Sequence, residues 1–439
     1  MQKIHGTGPL VGMTVIEMAA IGPSPFAAML LADMGARVVR IDRIGGPTAS
    51  FDIDPTQDVL SRNRESLALD LKRPEARDIV LELCTSASIL IEGFRPGVME
   101  RLGLGPQACL ERNPALVYGR VTGWGQQGPL AATAGHDLNF IAVSGCLEGI
   151  GRPAEPPVAP LNFVGDYGGG GMLLVAGVLA ASLSAQRTGV GQVVDAAILD
   201  GSALFLSAFM GFAHMGLWRP ERGVNLLDSG AYFYDCYVTR DGKYLAVGAL
   251  EPKFFAEFLR RIGLDPSRWR QDEPQQWPRM RSELAQIIRE RDRADWMRVF
   301  EGSDACVSPV LSMQEAPGHA HNRAREVFVE RFGITQPAPA PRFSATPSDI
   351  RTAPPKIGQH TRQILLERGY SNSAIERLLE EGVAATPHKI GPPRASLTHI
   401  DPTACPPSAV NVDPVMKLDA PLASSSNGPV SSSMSPRRR

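Results

Sequence analysis

The feature that most constrains the fold is a regular alternation of strand and helix patterns over roughly the first 120 residues. Short β-branched runs begin at residues 14, 37, 66, 89 and 116, and helix patterns or turns separate them. A strand, a helix and a second strand in succession predict a parallel strand pair with a crossover helix. We therefore expect an α/β fold whose large domain contains a Rossmann-like, mostly parallel sheet.

The chain is too long for one hydrophobic core, since it has 439 residues. The texture changes at Tyr232, where two alternating aromatic runs flank Asp241-Gly242, a strong hairpin signal. The segment 386–439 holds ten prolines and nine serines and predicts disorder. The predicted boundaries are 1–200 for the N-terminal part of the large domain, 201–225 for a linker helix, 226–322 for a smaller α+β domain, 323–385 for the return to the large domain, and 386–439 for the tail.

The charge balance excludes several classes of partner. The chain carries 45 basic and 46 acidic side chains, which gives no electrostatic reason to expect nucleic acid or an anionic membrane as a partner. The six cysteines are scattered without a C-x-x-C pair, and no signal-like segment opens the chain, so we expect a cytoplasmic protein. The longest apolar stretch, 172–183, is shorter than the ~20 residues of a membrane span, so no membrane partner is expected.

The first strand–turn–helix unit resembles a dinucleotide-binding layout but lacks its chemistry. The turn over residues 19–25 has no G-x-G-x-x-G, and Pro23 and Pro25 remove two N–H donors. Asp42, which closes the second strand, is expected to pair with Arg40 or Arg43. The sequence also contains no zinc-type spacing, no G-x-S-x-G elbow and no P-loop, so no metal site is expected.

Three polar residues stand out against apolar surroundings, and each has a structural and a catalytic interpretation. Asp166 precedes four glycines and an apolar helix expected from Met172, so it is either a helix cap or an anionic base or nucleophile. The glycines indicate close approach of another backbone or a ligand. His136 opens a helix and is either structural or a proton carrier. Glu251 lies between a strand and a helix, where capping is the simpler interpretation.

Taken together, these stretches resemble the family III CoA-transferase superfamily, and more narrowly its α-methylacyl-CoA racemase branch. The resemblance runs from about residue 8 to about 345 and includes Gly135-His-Asp-Leu-Asn-Phe140 and Gly248-Ala-Leu-Glu-Pro252. The matching segments are residues 21–25, 31–43, 66–72, 91–103, 122–126, 135–140, 160–171, 188–196, 226–231, 248–252 and 303–310. Departures at Glu65 and over 226–234 leave the acyl preference open.

The resemblance implies catalytic roles for three side chains. Asp166 matches the catalytic aspartate of the superfamily, His136 the second base of the racemases, and Glu251 the carboxylate that hydrogen-bonds to that histidine. The backbone N–H of Asp137, at a helix start, would hold the developing oxyanion. The positions that match CoA-binding residues are Arg40, the backbone of Ser66, Leu67, Ala68 and Leu69, Arg95, Gly135, Asp137, Leu138, Asn139 and Phe140.

The implied activity is interconversion of (R)- and (S)-2-methylacyl-CoA thioesters by two-base α-proton transfer through an enolate. CoA would be part of the substrate, with no further cofactor. The implied assembly is an interlocked homodimer, in which Glu251 acts either within its chain or across subunits. One alternative is a family III CoA transferase in which Asp166 is the nucleophile, and another is a CoA-binding protein without turnover.

Overall fold

The structure is a computed structural model, and it describes residues 7–45 and 54–387. Nearly all of the predicted tail, from residue 388 onward, lies outside the described residues. The strands in chain order are β1 (Thr14–Met18), β2 (Arg37–Arg43), β3 (Arg64–Leu69), β4 (Ile89–Glu92), β5 (Val117–Thr122), β6 (Val193–Ala197), β7 (Tyr234–Val238), β8 (Tyr244–Gly248), β9 (Val307–Val310), β10 (Phe328–Arg331), β11 (Ile334–Pro337) and β12 (Ala384–Ala385).

Among the described residues, four of the fourteen α-helices begin at a proline, which suits the first helical position. In chain order they are α1 (Pro23–Asp33), α2 (Pro74–Cys84), α3 (Val98–Arg101), α4 (Pro106–Arg112), α5 (Asp137–Ser144), α6 (Leu173–Thr188), α7 (Ile198–Leu204), α8 (Ser207–His214), α9 (Pro252–Ile262), α10 (Trp277–Ile288), α11 (Arg293–Phe300), α12 (Ala320–Ala324), α13 (Thr361–Glu367) and α14 (Asn372–Glu380).

The large sheet has the strand order β12-β3-β2-β1-β4-β5-β6. Its first six strands in sequence pair in parallel, and only β12 is antiparallel, beside β3. Apolar clusters cover both faces: α1 and α6 contribute to one, and α2, α13 and α14 contribute to the other. The predicted α/β fold with a mostly parallel sheet is therefore confirmed.

The strand order reverses at β1, which lies between β2 and β4. In open α/β sheets, ligands bind in the crevice beyond the carboxyl ends of the strands at such a reversal. A buried ion pair ties the strands together here, because Arg64 of β3 lies 2.6 Å from Glu17 of β1 and neither side chain is accessible. The sheet thus presents a fixed edge at which a site can be built.

The small domain contains an antiparallel sheet of order β7-β8-β9 with helices α9, α10 and α11 packed against it. The Asp241-Gly242 turn joins β7 to β8 in the predicted hairpin, with Tyr234 opposite Gly248. The core is aromatic, and its ring pairs include Phe233 with Trp277 at 5.5 Å between ring centroids. This core is separate from those of the large sheet.

The helix expected from Met172 begins earlier than the sequence predicts. A π-helical segment, Phe163–Met172, runs directly into α6, so Asp166 lies in the first turn of a helix and does not precede one. The glycines allow this packing: a Cβ at Gly169 would lie 2.7 Å from Ser202 Oγ of α7. Close approach of another backbone, one of the two predicted reasons for the glycine run, is what the structure has.

This continuous helix also corrects the expected length of the longest apolar segment. Phe163–Thr188 has a mean hydropathy of 1.6 over its most apolar window, and by length and composition alone it is long enough to cross a bilayer. Half of that window is buried inside the protein. The sequence underestimates the segment because consecutive glycines disfavour a helix unless packing requires one.

Candidate active site

Asp166 lies above the carboxyl end of β1, where the strand order reverses. It faces Gly22, the residue before α1, so closely that a Cβ on Gly22 would lie 3.0 Å from Asp166 Oδ2. Gly22 also has a φ of 73°, which glycine adopts without strain. A glycine at this turn therefore makes room for the carboxylate.

The start of α5 is clamped to the helix that carries Asp166. The backbone N–H of Asp166 donates to Asp137 Oδ1 at 2.6 Å. Gly165, the residue before Asp166, leaves no room for a side chain against the same Asp137 carboxylate. This contact fixes the spacing between Asp166 and the residue that precedes Asp137, which is His136.

His136 is the N-cap residue of α5, and its imidazole is exposed. Its backbone N–H donates to Asn139 Oδ1 at 3.0 Å, which holds the turn. Phe140, one turn further on, packs edge to face on Trp124 at 4.8 Å and anchors the helix. The turn that carries His136 is thus fixed by polar and aromatic contacts, while the ring faces solvent.

The Asp166 carboxyl has a pKa raised to about 6. Burial is the main cause, and the Asp137 carboxylate raises the pKa further. The amide of Asn162, which donates to Asp166 Oδ2 at 3.4 Å, and the nearby His136 both lower the pKa. His136 and Asp166 are thus close enough to interact electrostatically, and Asp166 has a pKa suited to both taking and returning a proton near neutral pH.

The backbone N–H of Asp137 is available for a negatively charged oxygen. Asp137 is the first residue of α5, and the first N–H groups of a helix have no carbonyl one turn back. The positive end of the helix dipole adds to the field at this point. The arrangement can therefore supply two side chains able to carry a proton and one N–H able to stabilise an oxyanion. Within residues 7–45 and 54–387, no group of three or more His, Cys, Asp or Glu side chains has the arrangement to hold a metal ion.

The predicted CoA-binding residues are spread along the carboxyl edge of the sheet. Arg95 is exposed in the loop after β4, and Leu138 and Asn139 are exposed on α5 next to His136. The side chain of Phe140 is buried in the core. Gly135 stands where a Cβ would lie 3.1 Å from the ring of Trp124. These α5 residues and Arg95 lie at the ends of the neighbouring strands β4 and β5.

Arg40 and the strand residues of β3 are more deeply placed. Arg40 pairs with Asp42 at 3.0 Å, as predicted for that carboxylate, and its side chain is one-tenth exposed. Ser66, Leu67, Ala68 and Leu69 are buried. The Ser66 N–H donates to His360 Nδ1 at 3.1 Å, and the Ala68 N–H donates to Thr361 Oγ1 at 3.2 Å. These two N–H groups therefore already have partners within the protein.

Glu251 lies in the small domain, at the N-cap of α9, and is exposed. Among the described residues, its carboxylate makes no hydrogen bond or ion pair. The structure of a single chain therefore brings His136 and Asp166 together but does not join Glu251 to His136.

Sequence reasoning missed Asn162, Gly22 and the side chain of Asp137, which all position Asp166. Asn162 stands four residues before Asp166, a spacing that places both on one face of a helix. That signal is readable only if the helix is known to begin at Phe163. The Gly22 contact joins distant parts of the chain and leaves no local signal.

Comparisons with known proteins agree with this architecture. Residues 10–361 match the model of the family described as CoA-transferase family III. The α-methylacyl-CoA racemases of Mus musculus and Homo sapiens are each 42% identical to this chain, over 84% of its length and 96% of theirs. The crystal structure of a CAIB/BAIF family protein from Brucella suis, 23% identical, superposes with a TM-score of 0.71 over 82% of this chain and all of that one, and so shares the fold. The chain belongs to CoA-transferase family III.

Proposed function

We propose that this protein is an isomerase that interconverts (R)- and (S)-2-methylacyl-CoA thioesters. The observation that carries the proposal is the pairing of His136 with Asp166 beside a free helix N-terminus, in a chain 42% identical to α-methylacyl-CoA racemases. Inversion next to a thioester requires removal of an α-proton on one face and delivery of a proton to the other. Two proton carriers must therefore flank one carbon, and His136 and Asp166 are the two that the site offers.

In the forward step, one of the pair takes the α-proton, and the C–H electrons move into the thioester as an enolate. The N–H of Asp137 stabilises the oxygen that becomes negative, and loss of one such donor typically costs ~2.7 to 4 kcal/mol of barrier. The other member of the pair then donates its proton to the opposite face of the carbon. The reaction is redox-neutral, so we propose no cofactor beyond the CoA moiety of the substrate.

The raised pKa of Asp166 suits this exchange. A carboxyl of ordinary pKa would hold the abstracted proton weakly, whereas a pKa of about 6 brings the base closer to the operating pH. Asn162 and His136 keep the carboxylate from being too easily protonated. The balance between burial and these two neighbours is therefore part of the proposed mechanism.

We propose that CoA lies along the carboxyl edge of the sheet. Arg95 and the α5 residues Leu138 and Asn139 are exposed there, close to His136. Arginine supports bidentate contact with phosphate, which a nearly neutral protein must provide locally. Arg40 and residues 66–69 are buried, so we propose that they support this edge from below while CoA contacts the exposed residues.

We further propose that two chains form the interlocked homodimer and that Glu251 reaches His136 across subunits. Large apolar side chains are exposed around the active site and along α7, α8 and the segment after α8: Leu138, Val143, Phe163, Met172, Leu204, Phe205, Met210, Met215 and Leu217. No residue of α8 is buried. Contiguous exposed apolar surface of this kind marks a protein interface. A partner chain that covers it can bring its own small domain, and with it Glu251, to the site.

The alternative is a CoA transferase in which Asp166 attacks an acyl-CoA and passes CoA between carboxylic acids. That reaction requires Asp166 but neither His136 nor Glu251, whereas the proposed proton transfer uses all three. A cytoplasmic location fits the five described cysteines, all of which are free thiols, and it remains part of the proposal.

The deciding experiment incubates the full-length protein with one epimer of a 2-methylacyl-CoA in deuterium oxide. We expect the α-proton signal to disappear from the NMR spectrum as optical activity is lost. Transfer of CoA onto an added free acid without α-exchange would assign the protein to the transferases. If neither reaction is observed, both assignments are wrong.

A further inference from the structure

The loop between β4 and α3 carries Arg95, and one buried arginine, Arg120, joins its two ends. Arg120 lies on β5, opposite Glu92, which is the last residue of β4. Its Nε donates to Glu92 Oε1 at 2.8 Å. Its Nη1 and Nη2 donate to the two carboxylate oxygens of Glu100, in α3, at 2.8 and 3.2 Å. The loop over residues 93–97 is therefore closed by a Glu92–Arg120–Glu100 bridge.

Glu92 also holds the first turn of this loop. Its second oxygen, Oε2, accepts the backbone N–H of Phe94 at 2.7 Å. The Glu92 side chain has no exposed surface, and both of its oxygens accept hydrogen bonds from within the protein. A carboxylate accepts a bond at each of its two oxygens, whereas a glutamine amide has only one accepting oxygen. The position of Phe94 relative to Arg120 therefore depends on a carboxylate at position 92.

The loop is also packed against the turn beside Asp166. A Cβ at Gly93 would lie 3.3 Å from the Cβ atoms of both Ala20 and Ser24, closer than ordinary van der Waals contact. These two residues lie on either side of the glycine that faces Asp166. The start of the loop is thus held at a fixed distance from the candidate proton carrier.

Stability of the fold is a weak reason for such a bridge. Apolar side chains of similar volume often stabilise a protein as well as a buried ion pair does. The bridge lies at the carboxyl end of β4, the edge along which we propose that CoA lies, and Arg95 is exposed between its two anchors. A side chain on a loop that is already ordered loses less conformational entropy when it binds a ligand.

We infer that Glu92, Arg120 and Glu100 are positioning residues for Arg95, and that their bridge fixes the loop so that the Arg95 guanidinium meets a phosphate of CoA without further ordering of the backbone. The inference deepens the proposed function and rests on the proposed place of CoA. The three bridge residues act through Arg95 and do not contact CoA themselves.

The test measures the Kd for CoA by calorimetry with the full-length protein at pH 8, above the pKa of about 7 to which burial raises the Glu92 carboxyl. Arg95→Ala should raise the Kd about tenfold or more, through loss of a charge-assisted contact. Glu92→Gln should raise it about 3- to 10-fold, because one oxygen cannot accept both hydrogen bonds. Glu111→Gln, at an exposed position of α4, is the matched control and should leave the Kd unchanged.

Glu100→Gln opens only the outer end of the bridge, at a side chain that is 45% exposed. Because the Glu92 contacts remain, we expect a smaller rise in the Kd, about 2- to 4-fold. This variant does not disturb the buried pair, so it decides the question if Glu92→Gln does not fold. A wild-type Kd in the bridge variants that fold would overturn the inference.

Double variants distinguish positioning from general damage to the fold. If the bridge acts through Arg95, Glu92→Gln or Glu100→Gln should have no further effect on the Kd in an Arg95→Ala background. A merely structural role would weaken binding by the same factor in both backgrounds, and that result would overturn the inference.

The same measurements separate this inference from the proposed function. A wild-type protein that does not bind CoA, or an Arg95→Ala variant that binds it as wild type does, would overturn both the proposed place of CoA and the inference. A protein that binds CoA and shows the expected coupling to Arg95, but racemises nothing, would keep the inference and remove the proposed reaction.

Discussion

The carboxyl edge of the large sheet and the small domain are stabilised by different interactions. At the edge, charged side chains are buried as pairs, such as Arg64 with Glu17 at 2.6 Å and Arg120 with Glu92 at 2.8 Å. In the small domain, the core is built from aromatic rings and apolar side chains. Removing one partner of a buried ion pair leaves a charge without compensation, whereas an aromatic core has no such liability.

This difference separates the site into two kinds of component. Asp166 is held within one chain by Asp137, Asn162 and the close approach of Gly22. Glu251, at the surface of the aromatic domain, is fixed only by its place at the start of α9. In the proposed mechanism, the large domain supplies a preorganised proton-transfer pair, and the small domain supplies a carboxylate that meets its partner only across a dimer.

The largest expected effect is loss of the pair itself. His136→Ala and Asp166→Asn should each lower kcat for racemisation by about 10³-fold or more, since each removes one of two required proton carriers. CoA binding, measured by calorimetry, should change by no more than about twofold, because neither side chain is a phosphate ligand. His321→Ala, at an exposed position of α12, is the control. Turnover close to wild type in either site variant would refute the two-base scheme.

Glu251→Gln should have a smaller effect, about 10- to 100-fold on kcat, because it acts through His136 and does not touch the reacting carbon. The test of its location mixes Glu251→Gln chains with His136→Ala chains under conditions in which subunits exchange. If Glu251 acts across subunits, one site in each mixed dimer is intact, and up to about a quarter of wild-type activity returns.

Mixing that restores nothing would place Glu251 in the site of its own chain, contrary to the proposal. Glu257→Gln, on α9 in the same domain, is the matched control, since within the described part of the chain the Glu257 carboxylate pairs with Arg260 and Arg261 of its own helix. The Glu257→Gln chains should be fully active on their own. A mixture of these chains with either site variant should show no more activity than the Glu257→Gln chains contribute by themselves.

The sequence predicts the elements of the fold that depend only on the burial of apolar side chains. The starts of β1, β2 and β4 at residues 14, 37 and 89 are predicted as observed, because β-branched apolar runs are local signals. The strand β12 was not predicted, since two alanines carry no strand signal and are held only by pairing with β3.

For the site, the sequence predicts the candidate reactive residues but not the contacts that position Asp166. His136, Asp166 and Glu251 stand out because polar residues interrupt apolar patterns. The contact of Gly22 with Asp166 and the helix start at Phe163 come from tertiary packing, which overrides the poor helix propensity of glycine. Such packing leaves no local trace.

The glycine run offers a way to measure that packing. Gly169→Ala should destabilise the protein by about 1–3 kcal/mol in urea unfolding, because the added Cβ would lie 2.7 Å from Ser202 Oγ. Gly211→Ala is the matched control: it lies in α8 with nothing within 4 Å of its Cβ position, and alanine there should be neutral or stabilise by up to about 1 kcal/mol. Equal shifts for the two variants would mean that the glycines are not there for close packing.

The smallest expected effect is on the pH dependence of the large-domain pair. In the direction in which Asp166 takes the proton, kcat/KM should fall as the pH drops through about 6, because the carboxyl becomes protonated. The Asn162 amide stabilises the carboxylate and lowers its pKa, so Asn162→Ala should move this acid limb to higher pH, by less than about one pH unit. Activity well above the limb should fall only a few-fold, because the base itself remains. Asn372→Ala, at an exposed position of α14, should leave the profile where it is. An acid limb that stays in place in Asn162→Ala would show that burial alone sets the pKa of Asp166 and that the large-domain pair does not depend on this hydrogen bond.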